Sequence, residues 1–156
     1  MRAAAPTGYA RPLEPMTLPD PTPPMDGAVV RVLGVRHLPE RLSVWNGDRR
    51  WRMQVPFPHI LGHECLGEVA ALARETRGWS VGERVVIPFH LDCGNCPQCA
   101  RGQPNLCVRY TAIGFPVPGA FAEFLAAPAA DRNLMRIGAS ADAAISRRRP
   151  RVSSTS

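Results

Sequence analysis

Lysine is absent from this 156-residue chain, and all 19 of its basic residues are arginine. Schiff-base catalysis and a lysine-based phosphate loop are therefore excluded. No two of the 13 glycines are spaced as G-x-G, so the sequence lacks the pyrophosphate-binding turn of a dinucleotide fold. Aromatics make up only 6% of residues, and none is interleaved among Arg147, Arg148, Arg149 and Arg151 to stack on bases. No apolar run approaches the roughly 20 residues needed to cross a bilayer. The opening Met1-Arg2-Ala3-Ala4-Ala5-Pro6 has no hydrophobic leader behind it. These absences lead us to expect a soluble cytoplasmic protein with neither a membrane nor a nucleic acid as partner.

Cysteine is present in a concentrated form. Four of the five cysteines stand at Cys93, Cys96, Cys99 and Cys107, a C-x2-C-x2-C-x7-C spacing. Four thiolates in one short loop can wrap a tetrahedral zinc ion, with Gly94, Pro97, Gly102 and Pro104 turning the backbone between them. Such a site is structural, because no coordination position is left for substrate. An iron-sulfur loop also begins C-x2-C-x2-C, but its fourth cysteine follows after three residues and precedes proline; here the gap is seven and Val108 follows. Disulfides and free thiols are the other readings. A reducing compartment favours metal ligation over disulfides.

The formal charge of +6 does not by itself mark a polyanion-binding surface. Zinc-bound thiolates subtract four charges and the ion restores two, leaving +4, and four arginines lie in the tail. The folded body is thus expected near neutrality.

The chain has one domain's worth of residues. We expect a folded unit over residues 1–144, with the zinc lobe at 92–109 and a disordered Arg/Ser-rich tail at 145–156. The stretch Leu13–Met25 carries five prolines and should run extended along an edge. Strands are expected at Ala28–Val35, Ile60–Leu72 (bent at Gly62 and Gly67), Arg84–Phe89, Gly119–Ala127 and Asn133–Ile137. Many short strands with Gly/Pro punctuation and little helical periodicity predict a mainly β fold, an irregular β-barrel with few short helices.

Taken in order, several motifs resemble the amino-terminal half of the zinc-dependent medium-chain alcohol dehydrogenases, from about Ala28 to Ile137. They are Gly62-His63-Glu64 after Pro56-Phe57-Pro58, Val81-Gly82-Glu83-Arg84-Val85, the cysteine loop ending Gly102-Gln103-Pro104-Asn105-Leu106-Cys107, and Gly119-Ala120-Phe121-Ala122-Glu123-Phe124. The resemblance implies a GroES-like barrel with a four-cysteine structural zinc lobe. It also implies alcohol/aldehyde interconversion with NAD or NADP on a second, catalytic zinc. His63 matches that zinc's histidine ligand, and Glu64 matches a carboxylate beside the metal.

The catalytic set is incomplete by the same comparison. Where the family has its first cysteine ligand this chain reads Gly34-Val35-Arg36-His37-Leu38-Pro39-Glu40, and the segment up to Trp45 is about two residues longer than usual. Arg36 cannot bind zinc, although His37 or Glu40 could substitute. The family's third ligand has no cysteine counterpart after Cys107, and the chain stops at Ser156 before a Rossmann domain could begin. Cys65, two residues from His63, is either a stand-in ligand or a small buried core residue, and the second reading is favoured. His59 and His90 read as ordinary surface or loop histidines.

Two functions of different class follow. One is an alcohol-dehydrogenase-type oxidoreductase domain, inactive alone because the nucleotide-binding half is missing, with small alcohols or aldehydes as the family's substrates. The other is a non-enzymatic zinc module that binds a protein or, less favoured, a nucleic acid through its arginine tail. A quinone-reductase-like relative is a third possibility, disfavoured because such proteins usually lack the cysteine lobe. A barrel deprived of its neighbour should expose apolar surface and self-associate.

Overall fold

A computed structural model of the chain describes residues 1–35 and 56–138. Arg36, His37, Glu40, Trp45 and the 145–156 tail lie outside the described residues. Among the described residues ten strands occur: β1 Arg2–Pro6, β2 Leu13–Thr17, β3 Ala28–Val35, β4 Cys65–Leu72, β5 Arg84–Ile87, β6 His90–Leu91, β7 Thr111–Ile113, β8 Pro116–Val117, β9 Phe124–Ala127 and β10 Met135–Arg136. The described helices are single turns, α1 Pro97–Ala100 and α2 Ala130–Asn133, with a 3-10 turn at Pro104–Leu106. The expected mainly β architecture is present. Its irregularity lies in the hydrogen bonding, which divides into an antiparallel five-stranded sheet ordered β10-β5-β4-β3-β9, a β1-β2 hairpin and a small β6-β7-β8 sheet. No described helix is long and apolar enough to cross a membrane.

The central strands follow their sequence. In β4, Cys65, Gly67 and Val69 are buried while Leu66, Glu68 and Ala70 are not, the period-two pattern of a strand with one face on the core. In β3, Ala28, Val29 and Val30 are all buried, so the start of the strand is covered on both faces, whereas Arg31 is exposed; this explains its imperfect alternation. Val30, Val69, Val85, Ile87, Ile113 and Leu125 form the heart of the main core. Gly67 is required there, because a Cβ on it would sit 2.2 Å from Val30 Cγ1 and 2.7 Å from the Arg31 carbonyl oxygen.

The strand expected at Ile60–Leu72 begins only at Cys65. Ile60, Leu61 and Gly62 are occupied differently: their carbonyls accept from the amides of Gly119 (2.7 Å), Phe121 (2.9 Å) and Ala120 (2.9 Å). This crossing is tight. A Cβ on Gly119 would lie 2.4 Å from the Leu61 carbonyl carbon. The same 119–123 segment is held on its other side by β1, through Ala4 N–H to the Phe121 carbonyl and Glu123 N–H to the Arg2 carbonyl. It is therefore mostly a connecting segment, and β9 starts at Phe124 rather than Gly119. The strand expected at Arg84–Phe89 likewise stops at Ile87, before Pro88, and the last expected strand shrinks to Met135–Arg136.

The proline-rich stretch behaves as an edge, with β2 paired only to β1. β1 itself was not expected from Arg-Ala-Ala-Ala-Pro, which carries no β-branched or aromatic residue. It is fixed by packing: Ala3 and Ala5 are buried with Ile60 against Met16 and Phe121.

Candidate metal centre

Strand β6 leads into Asp92 and the cysteine loop. Gly94 and Gly102 turn the backbone with φ of +71° and +76°, values that glycine adopts without strain. Pro97 starts α1, where its missing N–H costs nothing. The turn closes through Ala100 N–H to the Cys96 carbonyl (2.9 Å) and Gly102 N–H to the Cys99 carbonyl (3.0 Å); Cys107 N–H then bonds the Pro104 carbonyl (3.0 Å). These bonds bring Cys93, Cys96, Cys99 and Cys107 together, with every Sγ within 4.8 Å of the others.

The sulfur spacing discriminates among the readings of the loop. Cys93 Sγ and Cys107 Sγ are 3.5 Å apart, and Cys96 Sγ and Cys107 Sγ 3.9 Å apart. With Zn–S bonds near 2.3 Å, the edge of a tetrahedral site is about 3.8 Å, so the donors are spaced for a zinc ion. None of the cysteines is in a disulfide. Among the described residues this is the one group of three or more His, Cys, Asp or Glu side chains able to hold a metal ion.

Backbone amides prepare part of the cage for negative charge. Donation from the Cys99 N–H, then the Val108 N–H, holds the Cys96 thiol down to about 6. The Asn95 N–H is the main cause that lowers Cys93. Burial, reinforced by the neighbouring Cys96 and Cys107 sulfurs, pushes Cys99 up to about 12. A divalent cation at the centre reverses that last effect, since coordinated thiols ionise outright.

The lobe has almost no apolar core of its own; its buried cluster consists of Cys96, Cys99 and Cys107, with Cys93 packed beside them. It is tied to the rest of the chain by a polar clamp that sequence reasoning missed. Asn133 of α2 is 2% exposed; its Oδ1 accepts from the Asp92 amide (3.1 Å), and its Nδ2 donates to the carbonyls of Asp92 (3.0 Å) and Pro128 (3.1 Å). Arg132 Nε donates to Asp92 Oδ1 at 2.8 Å, and Gly94 N–H to the same oxygen at 3.0 Å. Burial raises the Asp92 carboxyl, but the Arg132 bond and charge, the Cys99 thiol and the Gly94 amide together hold it below the usual range. No local signal joins residues 40 positions apart, so only the tertiary structure reveals this set.

The catalytic-zinc candidates are not gathered in the same way. His63 and Glu64 are half-buried just before β4, and the His63 ring lies 4.8 Å from that of Phe89. No third His, Cys, Asp or Glu among the described residues joins them in a metal-holding group. Cys65 is 1% exposed inside the main core, where burial pushes its thiol up to about 12, the small core residue favoured from sequence. The two histidines read as surface or loop residues lie in different settings. His59 is buried, not on the surface, and its Nε2–H donates to the Gly114 carbonyl (3.1 Å), while burial lowers its pKa below 6.5. His90 opens β6 and stacks on Tyr110 with ring centroids 4.6 Å apart.

Residues 25–138 match the family described as the alcohol dehydrogenase GroES-like domain. The chain belongs to this GroES-like alcohol dehydrogenase family. Among curated relatives, the L-threonine 3-dehydrogenase of Aeromonas hydrophila subsp. hydrophila is 41% identical over 88 residues, 56% of this chain and 26% of that protein. That of Photobacterium profundum is 39% identical over 103 residues, 66% of this chain and 30% of the relative. Among solved structures, an alcohol dehydrogenase from Thermus sp. ATN1 superposes with a TM-score of 0.79 at 32% identity, covering 88% of this chain and 40% of that one. An NAD-dependent alcohol dehydrogenase gives 0.76 at 33% identity, covering 87% and 39%. The chain thus spans about a quarter to two fifths of the proteins it matches. The GroES-like domain is of the type found in zinc-dependent medium-chain oxidoreductases.

Proposed function

We propose that this GroES-like domain is the substrate-side part of an alcohol-dehydrogenase-type oxidoreductase, stapled by one structural zinc on Cys93, Cys96, Cys99 and Cys107. The observation that carries the proposal is the four-sulfur cluster, with its 3.5 and 3.9 Å edges. Bound there, zinc supplies a cross-link and no open coordination position. The lobe residues do the rest: Cys96 and Cys93 accept backbone N–H bonds, and Asp92 and Asn133 dock the loop on α2.

In this reading the relatives' chemistry, hydride exchange between a small alcohol or aldehyde and NAD(P), needs groups beyond those described. His63 and Glu64 occupy the family's catalytic-metal positions. However, the described residues do not supply a complete donor set for that metal, so no catalytic step is assigned to it. The sequence has no G-x-G turn to hold a pyrophosphate, and we expect weak NAD(P) binding and negligible alcohol oxidation by the isolated chain. The test is metal stoichiometry and thiol accessibility of purified protein, together with NAD-dependent turnover. One zinc per chain, four protected thiols and no turnover support the reading. A metal-free cage or robust turnover overturns it.

A further inference from the structure

The four cysteine residues are not equally sheltered. Cys96, Cys99 and Cys107 are 4–7% exposed, whereas Cys93 is only half-buried. A small oxidant reaching the cage from solvent therefore meets Cys93 first. Its sulfur lies 3.5 Å from that of Cys107, closer than the 3.9 Å between Cys96 and Cys107, and the Cys93 amide also points at Cys107 Sγ (3.4 Å). Gly94 follows Cys93 directly, with a φ of +71° that glycine adopts without strain.

We propose that the cage is a modification site for hydroperoxides, at which oxidation joins Cys93 to Cys107 and releases the cation. The Cys93 thiolate attacks the terminal peroxide oxygen; the O–O bond breaks, Cys93 becomes a sulfenic acid, and the other oxygen takes a proton and leaves, as water from hydrogen peroxide or as an alcohol from an organic hydroperoxide. The Cys107 thiolate then attacks the sulfenic sulfur, the S–S bond forms, and hydroxide leaves to be protonated as water. Two thiolates lose two electrons and the peroxide gains them. Cys96 and Cys99 alone cannot complete a tetrahedral site, so the metal leaves. Because the lobe's buried cluster is made of these sulfurs, its order goes with the metal.

This inference rests on the zinc-cage reading, and the experiment separates the two. The full chain is purified under reducing conditions and its zinc measured first; a chain without zinc overturns the underlying reading before any oxidant is added. The zinc-loaded chain is then titrated with hydrogen peroxide beside a chromogenic zinc chelator, alkylated without reduction, and digested with trypsin. Cleavage at Arg84, Arg101 and Arg109 places Cys107 on a different peptide from Cys93, Cys96 and Cys99, and fragmentation identifies which of the three is joined to it. The expected result is release of the bound zinc in step with loss of two thiols, with the Cys93–Cys107 link dominant and Cys65 still reduced. Zinc retained after peroxide treatment, a dominant link from Cys107 to Cys96 or Cys99, or over-oxidised Cys93 without a link overturns the proposal. The mapping is done on the unmutated chain, so no variant needs to fold.

Discussion

The five-stranded sheet and the cysteine lobe sit a few residues apart in sequence yet are stabilised by opposite means. Around β3, β4 and β5 the chain buries Val30, Val69, Val85 and Ile87 completely or nearly so, and order there comes from apolar area removed from water. Across 92–107 the buried cluster is sulfur, and the connections to the body are hydrogen bonds from Asn133 and Arg132. The contrast teaches that one small domain can contain two units of stability that answer to different perturbations. Chemistry that strips a metal should reach one of them and spare the other.

The sharpest way to break this comparison is Cys96→Ser. Removing one of four ligands should take bound zinc from about one per chain to none after dialysis, while far-UV circular dichroism keeps its β signal. Loss of the sheet signal at ambient temperature would mean that the two units are one. The converse change is Leu125→Ala in β9, where a side chain 2% exposed is truncated. It should cost about 2–5 kcal/mol in urea unfolding. At low urea the variant should still carry zinc.

Asn133→Ala tests the joint. It leaves the Asp92 amide and the Asp92 and Pro128 carbonyls without their partner, at a cost of about 1–3 kcal/mol. Faster zinc loss to a chelator, with little change in exchange within β4, is the expected signature.

His59 offers a pH probe of the body. Its folded pKa is lowered, so the unfolded chain takes up a proton first. The contribution is fully present above about pH 6.5 and is lost as pH falls through that value toward the lower folded pKa. The urea midpoint of the unmutated chain should therefore fall on acidification more than that of His59→Gln. Equal slopes would remove His59 from the account.

The smallest effect is expected for Glu68→Gln, which breaks the 2.7 Å pair with the half-exposed Arg31. Its cost should lie within about 0–1 kcal/mol and diminish with salt.

The parts legible in the sequence are those with local causes. The cysteine loop could be read because its four ligands fall within 15 residues, and β3 because Ala28–Val35 is a compact apolar run. The start of β4 was misplaced because Ile60 and Leu61 are as apolar as a strand requires but hold the 119–121 crossing instead. The Asp92–Arg132–Asn133 clamp and the burial of His59 against Gly114 depend on pairs 40 or more residues apart, and periodicity carries no trace of them. His63 was placed by resemblance, and the segment aligned with the family's first ligand, including the candidate substitutes His37 and Glu40, lies outside the described residues.

Amide hydrogen exchange of the zinc-loaded chain, with and without a strong chelator, tests the division of stability most directly. The account predicts that chelation strips protection from residues 93–107 while β3, β4 and β5 exchange as slowly as before. Equal loss of protection in lobe and sheet, or an unchanged lobe after verified removal of the metal, would contradict it.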